Sequence, residues 1–179
     1  TELRTLFAPQ HPLMYEGGPV DLPAHASHPS FSPDGSQLGF SMQPAELVDD
    51  APQLVETQEL MVADVAGVWE EEPGTLSNLR PLNYARQPSA IDTHPRWSPD
   101  GEHLAFVRWE RGDGLLYPIE PHVHVVEVAT GATRAIVPVP EGVTGATAAS
   151  YISASPTWAP DGQGLLLRGF SGDGGVADL

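Results

Sequence analysis

Four histidines are the first residues in this chain whose type and spacing could do chemistry. His122 and His124 stand two apart in an apolar run. On a strand that spacing puts both imidazoles on one face, where Zn or Cu could bind with a third ligand. No Cys is present, and no Glu-His arrangement supplies the rest, so the two read as ordinary strand histidines. His28 and His94 each precede a proline in closely similar phrases, and a shared place of that kind points to a structural role rather than catalysis. Asp34, Asp100 and Asp161 each stand between Pro and Gly. Such an Asp bonds nearby backbone N–H groups of a turn, which explains it better than acid–base or metal chemistry. Gly112-Asp113-Gly114 and Gly172-Asp173-Gly174-Gly175 lack the spacing of a phosphate or calcium loop and read as hairpin turns. Gly169-Phe170-Ser171-Gly172-Asp173 begins like a nucleophile elbow but has no Gly at its fifth place. The expectation is therefore no catalytic, cofactor-binding or metal-ligating residue, and a chain that is not an enzyme.

The elements that carry these residues come from a repeat. His28-Pro29-Ser30-Phe31-Ser32-Pro33-Asp34-Gly35 returns as His94-Pro95-Arg96-Trp97-Ser98-Pro99-Asp100-Gly101. It returns again as Ser155-Pro156-Thr157-Trp158-Ala159-Pro160-Asp161-Gly162. A repeat on this scale implies an array of similar supersecondary units. Pro presets φ, Asp suits the next place and Gly takes the left-handed one, so each copy predicts a type I hairpin turn with a bulge at Gly.

Apolar segments follow each turn: Leu38 to Met42, Leu104 to Val107, and Leu165 to Leu167. The last two are apolar at consecutive places, which predicts strands covered on both faces, as in stacked sheets. A third strand is predicted over 59–65 and again over 122–128, and a fourth over 79–82 and 133–136. Leu3-Arg4-Thr5-Leu6 resembles those fourth strands, with Arg4 matching Arg80 and Arg134, and 175–179 resembles the third. Four strands per unit in meander order describe a propeller blade.

The phrase Trp/Phe-Ser-Pro-Asp-Gly followed by Leu-Ala-Phe resembles the TolB-type β-propeller repeat, which prolyl-oligopeptidase-type peptidases also carry in their propeller domains. The resemblance implies an all-β chain, a partial, open, three-blade propeller of four-stranded antiparallel blades. On this reading 1–179 is one propeller segment. Residues 1–7 form an outer strand, 25–83 and 91–138 are blades, and 151–179 is an incomplete blade that 1–7 could complete. Three blades are fewer than the four of the smallest closed ring. A protein partner, a second copy or further chain would then cover the open faces.

Composition agrees with short strands, since 19 Pro and 18 Gly punctuate the 179 residues and disfavour long helices. No stretch nears the roughly 20 apolar residues of a membrane span, and 1–10 lacks a signal-peptide pattern. The chain is expected to be soluble or already processed. Eight Arg, no Lys and 24 acids give a net charge of −16, which disfavours nucleic acid and anionic membranes as partners. A basic partner surface and a genomic or salt-adapted background both account for the acidity. Without Cys there are no disulfides and no thiol chemistry.

Long insertions are predicted at 43–58, 67–77, 110–121 and 139–154. Loops on a rigid scaffold are common recognition sites. Leu47, Val48, Leu54 and Val55 in the first, with Leu115, Leu116, Tyr117 and Ile119 in the third, are the candidate partner-binding residues. Folding back over the sheet edges is the competing reading for both segments. Glu70-Glu71-Glu72 reads as a solvated run or a contact for a basic partner. The leading functional reading is a non-enzymatic binding or scaffold subunit without cofactor. The TolB resemblance suggests an accessory, periplasmic or otherwise extracytoplasmic subunit peripheral to a membrane complex. The other reading is the propeller of a larger prolyl-oligopeptidase-type peptidase, gating substrate access.

Overall fold

The computed structural model describes residues 10–15, 18–23, 25–48, 51–54, 57–66, 75–82, 90–110, 120–136, 155–166, 168–170 and 176–178. Every regular element among them is a β-strand, and every strand pairing is antiparallel. In chain order β1 is Gln10–Tyr15 and β2 Gly18–Pro23, a two-stranded hairpin. β3 (His25–Phe31), β4 (Gln37–Gln43), β7 (Glu59–Ala66) and β8 (Thr75–Pro81) form a four-stranded meander in the order β3-β4-β7-β8. β5 (Ala45–Val48) and β6 (Ala51–Leu54) form a hairpin inserted between β4 and β7.

A second meander repeats the first. β9 (Ile91–Trp97), β10 (His103–Glu110), β11 (Glu120–Glu127) and β12 (Thr133–Ile136) lie in the order β9-β10-β11-β12. β13 (Thr157–Trp158) and β14 (Leu165–Leu166) begin a third unit. β15 (Arg168–Phe170) and β16 (Val176–Asp178) pair beyond it. No helix among the described residues is long and apolar enough to cross a membrane.

The three repeated phrases close their hairpins identically. The N–H of Gly35, Gly101 and Gly162 donates to the carbonyl of Ser32, Ser98 and Ala159 respectively, at 2.9, 3.0 and 2.9 Å. Those glycines have φ of 73°, 75° and 72°, the left-handed value a side chain would strain. In turn the N–H of Ser32, Ser98 and Ala159 donates to Gln37, His103 and Gly164, each at 2.9 Å, and pins the strand register. Asp34, Asp100 and Asp161 accept the backbone N–H two residues on, at 3.0, 2.9 and 2.9 Å. The Ser32 hydroxyl also donates to Asp34, and together these bonds hold its carboxyl down at about 2.

Packing explains the consecutive apolar residues. Leu60, Val62 and Leu82 of the first sheet share a core with Trp97, Leu104, Phe106 and Val126 of the second. The first sheet's other face buries Leu38, Phe40, Met42, Met61 and Ala63. The second sheet's other face buries Val107 and Val123 against Trp109, Ile136 and Leu165, the last from β14. Burial of a side chain such as Leu104 or Phe106 stabilises the fold by roughly 1.5–3 kcal/mol, and both are fully buried. The sheets therefore stack face to face in chain order.

Two expectations need amendment. The 43–58 insertion contains the β5–β6 hairpin rather than an irregular loop. The β1–β2 hairpin was not anticipated, because Pro12, Pro19 and Pro23 interrupt its strands. The strand expected at Leu3 to Leu6, with Arg4, lies outside the described residues.

Candidate functional site

The first strands of the second and third units, β9 and β13, make the same connection to the sheet before them. The Trp97 Nε1–H donates to the carbonyl of Ser30 at 2.9 Å, and the Trp158 Nε1–H donates to that of Arg96, also at 2.9 Å. Ser30 and Arg96 hold the same place in their phrases, one residue before the aromatic. Buried indoles need such a partner, and here it lies in the neighbouring unit. The turns repeat the pattern. A Cβ on Gly101 would sit 3.7 Å from Pro33 Cδ, and one on Gly162 would sit 3.8 Å from Pro99 Cδ. Between the first two turns lies a polar cleft of about 250 Å³ lined by Asp34, Ser36, Gln37 and Asp100 among others.

The first strands also converge on a cluster of polar groups. His28 and His94 both have φ of 55°, and each lies where its strand's register shifts. The two imidazoles meet with ring centroids 3.8 Å apart and planes at 38°. Arg96, two residues beyond His94, donates from Nη1 to the Pro95 carbonyl at 3.0 Å and from Nη2 to Ser155 Oγ at 3.3 Å. Ser155 is the third phrase's counterpart of the two histidines. Burial, then the charge of His28, then that of Arg96 push His94 down to about 4. Burial, then Arg96, then His25 lower His28. Both shifts favour the neutral imidazole. Sequence reasoning found the shared place but not the contact, which joins residues 66 apart.

A second buried polar group lies on β9 to β11. Arg108 donates from Nε to Asp92 Oδ1 at 2.8 Å and from Nη2 to Oδ2 at 3.0 Å. Both side chains are almost wholly buried. His122 lies opposite Arg108 and His124 opposite Phe106, so the two histidines share a face as their spacing required. The His124 ring stacks on Phe106 at 5.5 Å, and Arg108 lies 5.4 Å from the same ring. Burial, then the Arg108 charge push His124 down to about 4, against the opposing effect of Asp92. A nearby guanidinium opposes a metal cation on these imidazoles.

The β5–β6 hairpin carries three of the candidate partner-binding residues. Leu47 and Val48 lie in β5 and Leu54 in β6. Val55, Leu115, Leu116, Tyr117, Ile119 and the Glu70-Glu71-Glu72 run lie outside the described residues. So do Gly112 to Gly114 and Gly172 to Gly175. Arg80 lies on β8 opposite Val62, and its charge helps, after bonds from Asn78 and Gln37, to lower Asp64. Arg134 lies on β12 opposite Val125 and lines a shallow depression with His103 and Glu127. Asp100, Glu102 and His103 bring ligand-type atoms within 4.8 Å of one another. Asp100 Oδ1 there already accepts the Ser98 hydroxyl and the Glu102 N–H.

Comparison with known proteins adds one relationship. No family model matches the chain. Over 150 residues, 84% of the chain, it is 25% identical to a Bacillus subtilis (strain 168) protein named "Uncharacterized peptidase YuxL". The chain spans 18% of that protein's length. The similarity corrects the expectation of a chain that is not an enzyme, since the relative carries a peptidase's name. It gives the peptidase-related reading a slight advantage over the scaffold subunit.

Proposed function

We propose that this chain is part of the β-propeller of a larger peptidase of the prolyl-oligopeptidase type, where it restricts which substrates reach the catalytic centre. The single observation that carries this reading is the similarity of 84% of the chain to a small share of a protein named a peptidase. The structure supports it in kind. Two meanders of the same strand order and a third begun by the same phrase are stacked face to face and joined by equivalent indole bonds. On this reading the sheets are propeller blades of the TolB-type repeat, and their first strands line the axial passage. A passage of fixed width admits peptides and excludes folded proteins, because folded domains are too wide to enter. The rigidity of the blade-to-blade contacts would then set the size limit.

The test is active-site labelling of the longest natural protein that contains this chain. A fluorophosphonate probe should label a serine outside residues 1–179, within a Gly-x-Ser-x-Gly segment. Trp97→Ala (W97A) in that protein should raise cleavage of a long peptide relative to a dipeptide substrate. Absence of labelling together with absence of peptide cleavage would overturn the proposal, as would a labelled serine within 1–179.

A further inference from the structure

His28 and His94 are held in a conformation that non-glycine residues rarely adopt, at equivalent places on neighbouring first strands. A left-handed non-glycine residue is strained and persists where the surrounding structure over-determines it. The result of that geometry is two imidazoles in contact, with centroids 3.8 Å apart. Beside them lies a tethered guanidinium, since Arg96 is held through both Nη atoms by Pro95 O and Ser155 Oγ. Ser27 Oγ lies 2.9 Å from His28 Nδ1 and fixes that ring's orientation.

The charge balance is unusual. Acids outnumber Arg by 24 to 8 over the whole chain, yet among the described residues no carboxylate pairs with Arg96. The charges that act on the two rings are each other's, that of Arg96 and that of His25, and none of these groups is an acid. An ordered guanidinium beside two imidazoles and a hydroxyl, with no carboxylate partner among the described residues, has the composition of an anion site. A metal cation would be repelled by Arg96.

We infer that His28, His94, Arg96 and Ser155 form a binding site for a small oxyanion, a carboxylate or a phosphate group. Arg96 supplies the charge, and the imidazole N–H groups and the Ser155 hydroxyl supply directed donors. The site lies across the junctions of three successive repeats, so its ligand would also brace those junctions. The inference is independent of the peptidase reading, because it rests on the geometry and charge of this cluster alone.

Titration of the full chain in chloride buffer tests it, with the imidazole Cε1–H NMR signals of His28 and His94 as readout. Three probes are added separately: sodium phosphate, acetyl-dialanine as the free acid, and acetyl-dialanine amide. Saturable shifts of both signals are expected with phosphate or the free acid, and none with the amide. Saturation by the free acid alone assigns a carboxylate ligand, and saturation by phosphate alone assigns a phosphate. Arg96→Gln (R96Q) should weaken binding at least tenfold while leaving the indole signals of Trp97 and Trp158 in place. His94→Asn (H94N), whose side chain tolerates the left-handed backbone, should weaken it as well and serves if R96Q does not fold. Absence of a saturable shift with either anion, or unchanged binding in the variant that folds, overturns the inference.

Discussion

The Trp97 indole N–H donates to the carbonyl of Ser30, 67 residues earlier, at 2.9 Å, and this bond joins the first sheet to the second. Trp158 repeats it on Arg96 one unit later. Trp97 is also buried in the core that the two sheets share, so its ring and its N–H act on the same junction. In Trp97→Phe (W97F) most of the apolar contact survives but the Ser30 carbonyl loses its donor. Loss of a partner to a buried polar group costs about 1–3 kcal/mol. Urea unfolding should show a lower midpoint with an unchanged slope. Trp158→Phe (W158F) should act in the same direction. An unchanged midpoint in W97F would mean that water replaces the donor at no cost.

Gly39 sets how closely Trp97 can approach. A Cβ there would lie 3.2 Å from Trp97 Nε1 and 3.4 Å from both Leu104 methyl carbons. Gly39→Ala (G39A) should therefore destabilise by about 1–3 kcal/mol through overpacking. The cause can be isolated with a double-mutant cycle. If the methyl displaces the indole, G39A and W97F should cost less together than the sum of their separate effects. Strict additivity would show that the strain lies elsewhere on β4.

Legibility of the fold in the sequence followed the range of the interaction. The Pro-Asp-Gly turns are local, so Pro33, Asp34 and Gly35 announce their own hydrogen bonds, and the strands on either side follow from them. The consecutive apolar run at Leu104 announced two-sided burial for the same reason, whereas in the run at Leu165 the Leu166 side chain is exposed. Contacts between repeats were not readable. Nothing in the phrase says that the Trp97 donor meets Ser30, or that His28 meets His94, because packing of separate sheets decides both. Arg108 and Asp92 were a nearer miss. The hairpin register places them opposite each other, but only after allowance for the bulge at His94. The β1–β2 hairpin went unread because its prolines argue against strands, although Gly17-Gly18 between Tyr15 and Val20 is a hairpin signal.

Arg108 and Asp92 form a bidentate pair away from water, and the two partners differ in what their loss leaves behind. Arg108→Met (R108M) keeps the aliphatic bulk and takes the ion-pair partner from a buried carboxylate, at a cost of about 3–5 kcal/mol. Replacing both, as Asp92→Leu with Arg108→Met, removes the buried charge and should recover at least about half of that loss. Chemical denaturation of the three variants checks this. A double variant less stable than R108M would show that the pair's further contacts matter more than its charge.

Acid should weaken the fold well above the range in which carboxylates titrate. His94 and His124 are each held at about 4 against an ordinary 6.5, mainly by burial, and His28 is lowered in the same direction. Between those values the unfolded chain binds protons that the native chain does not. Stability therefore rises with pH across this window, and it is lost as pH falls from about 6.5 towards 4. Asp34, held at about 2 by its turn, acts later, its contribution being present above 3.8 and lost as pH falls towards 2. Urea midpoints measured in chloride at intervals from pH 7.5 to 4.5 should decline steadily. H94N removes one of the responsible groups and should flatten the decline, whereas Asp34→Asn (D34N) should leave it unchanged over this range. A flat profile in the parent chain would mean that these imidazoles reach water in the native state and titrate as they do when unfolded.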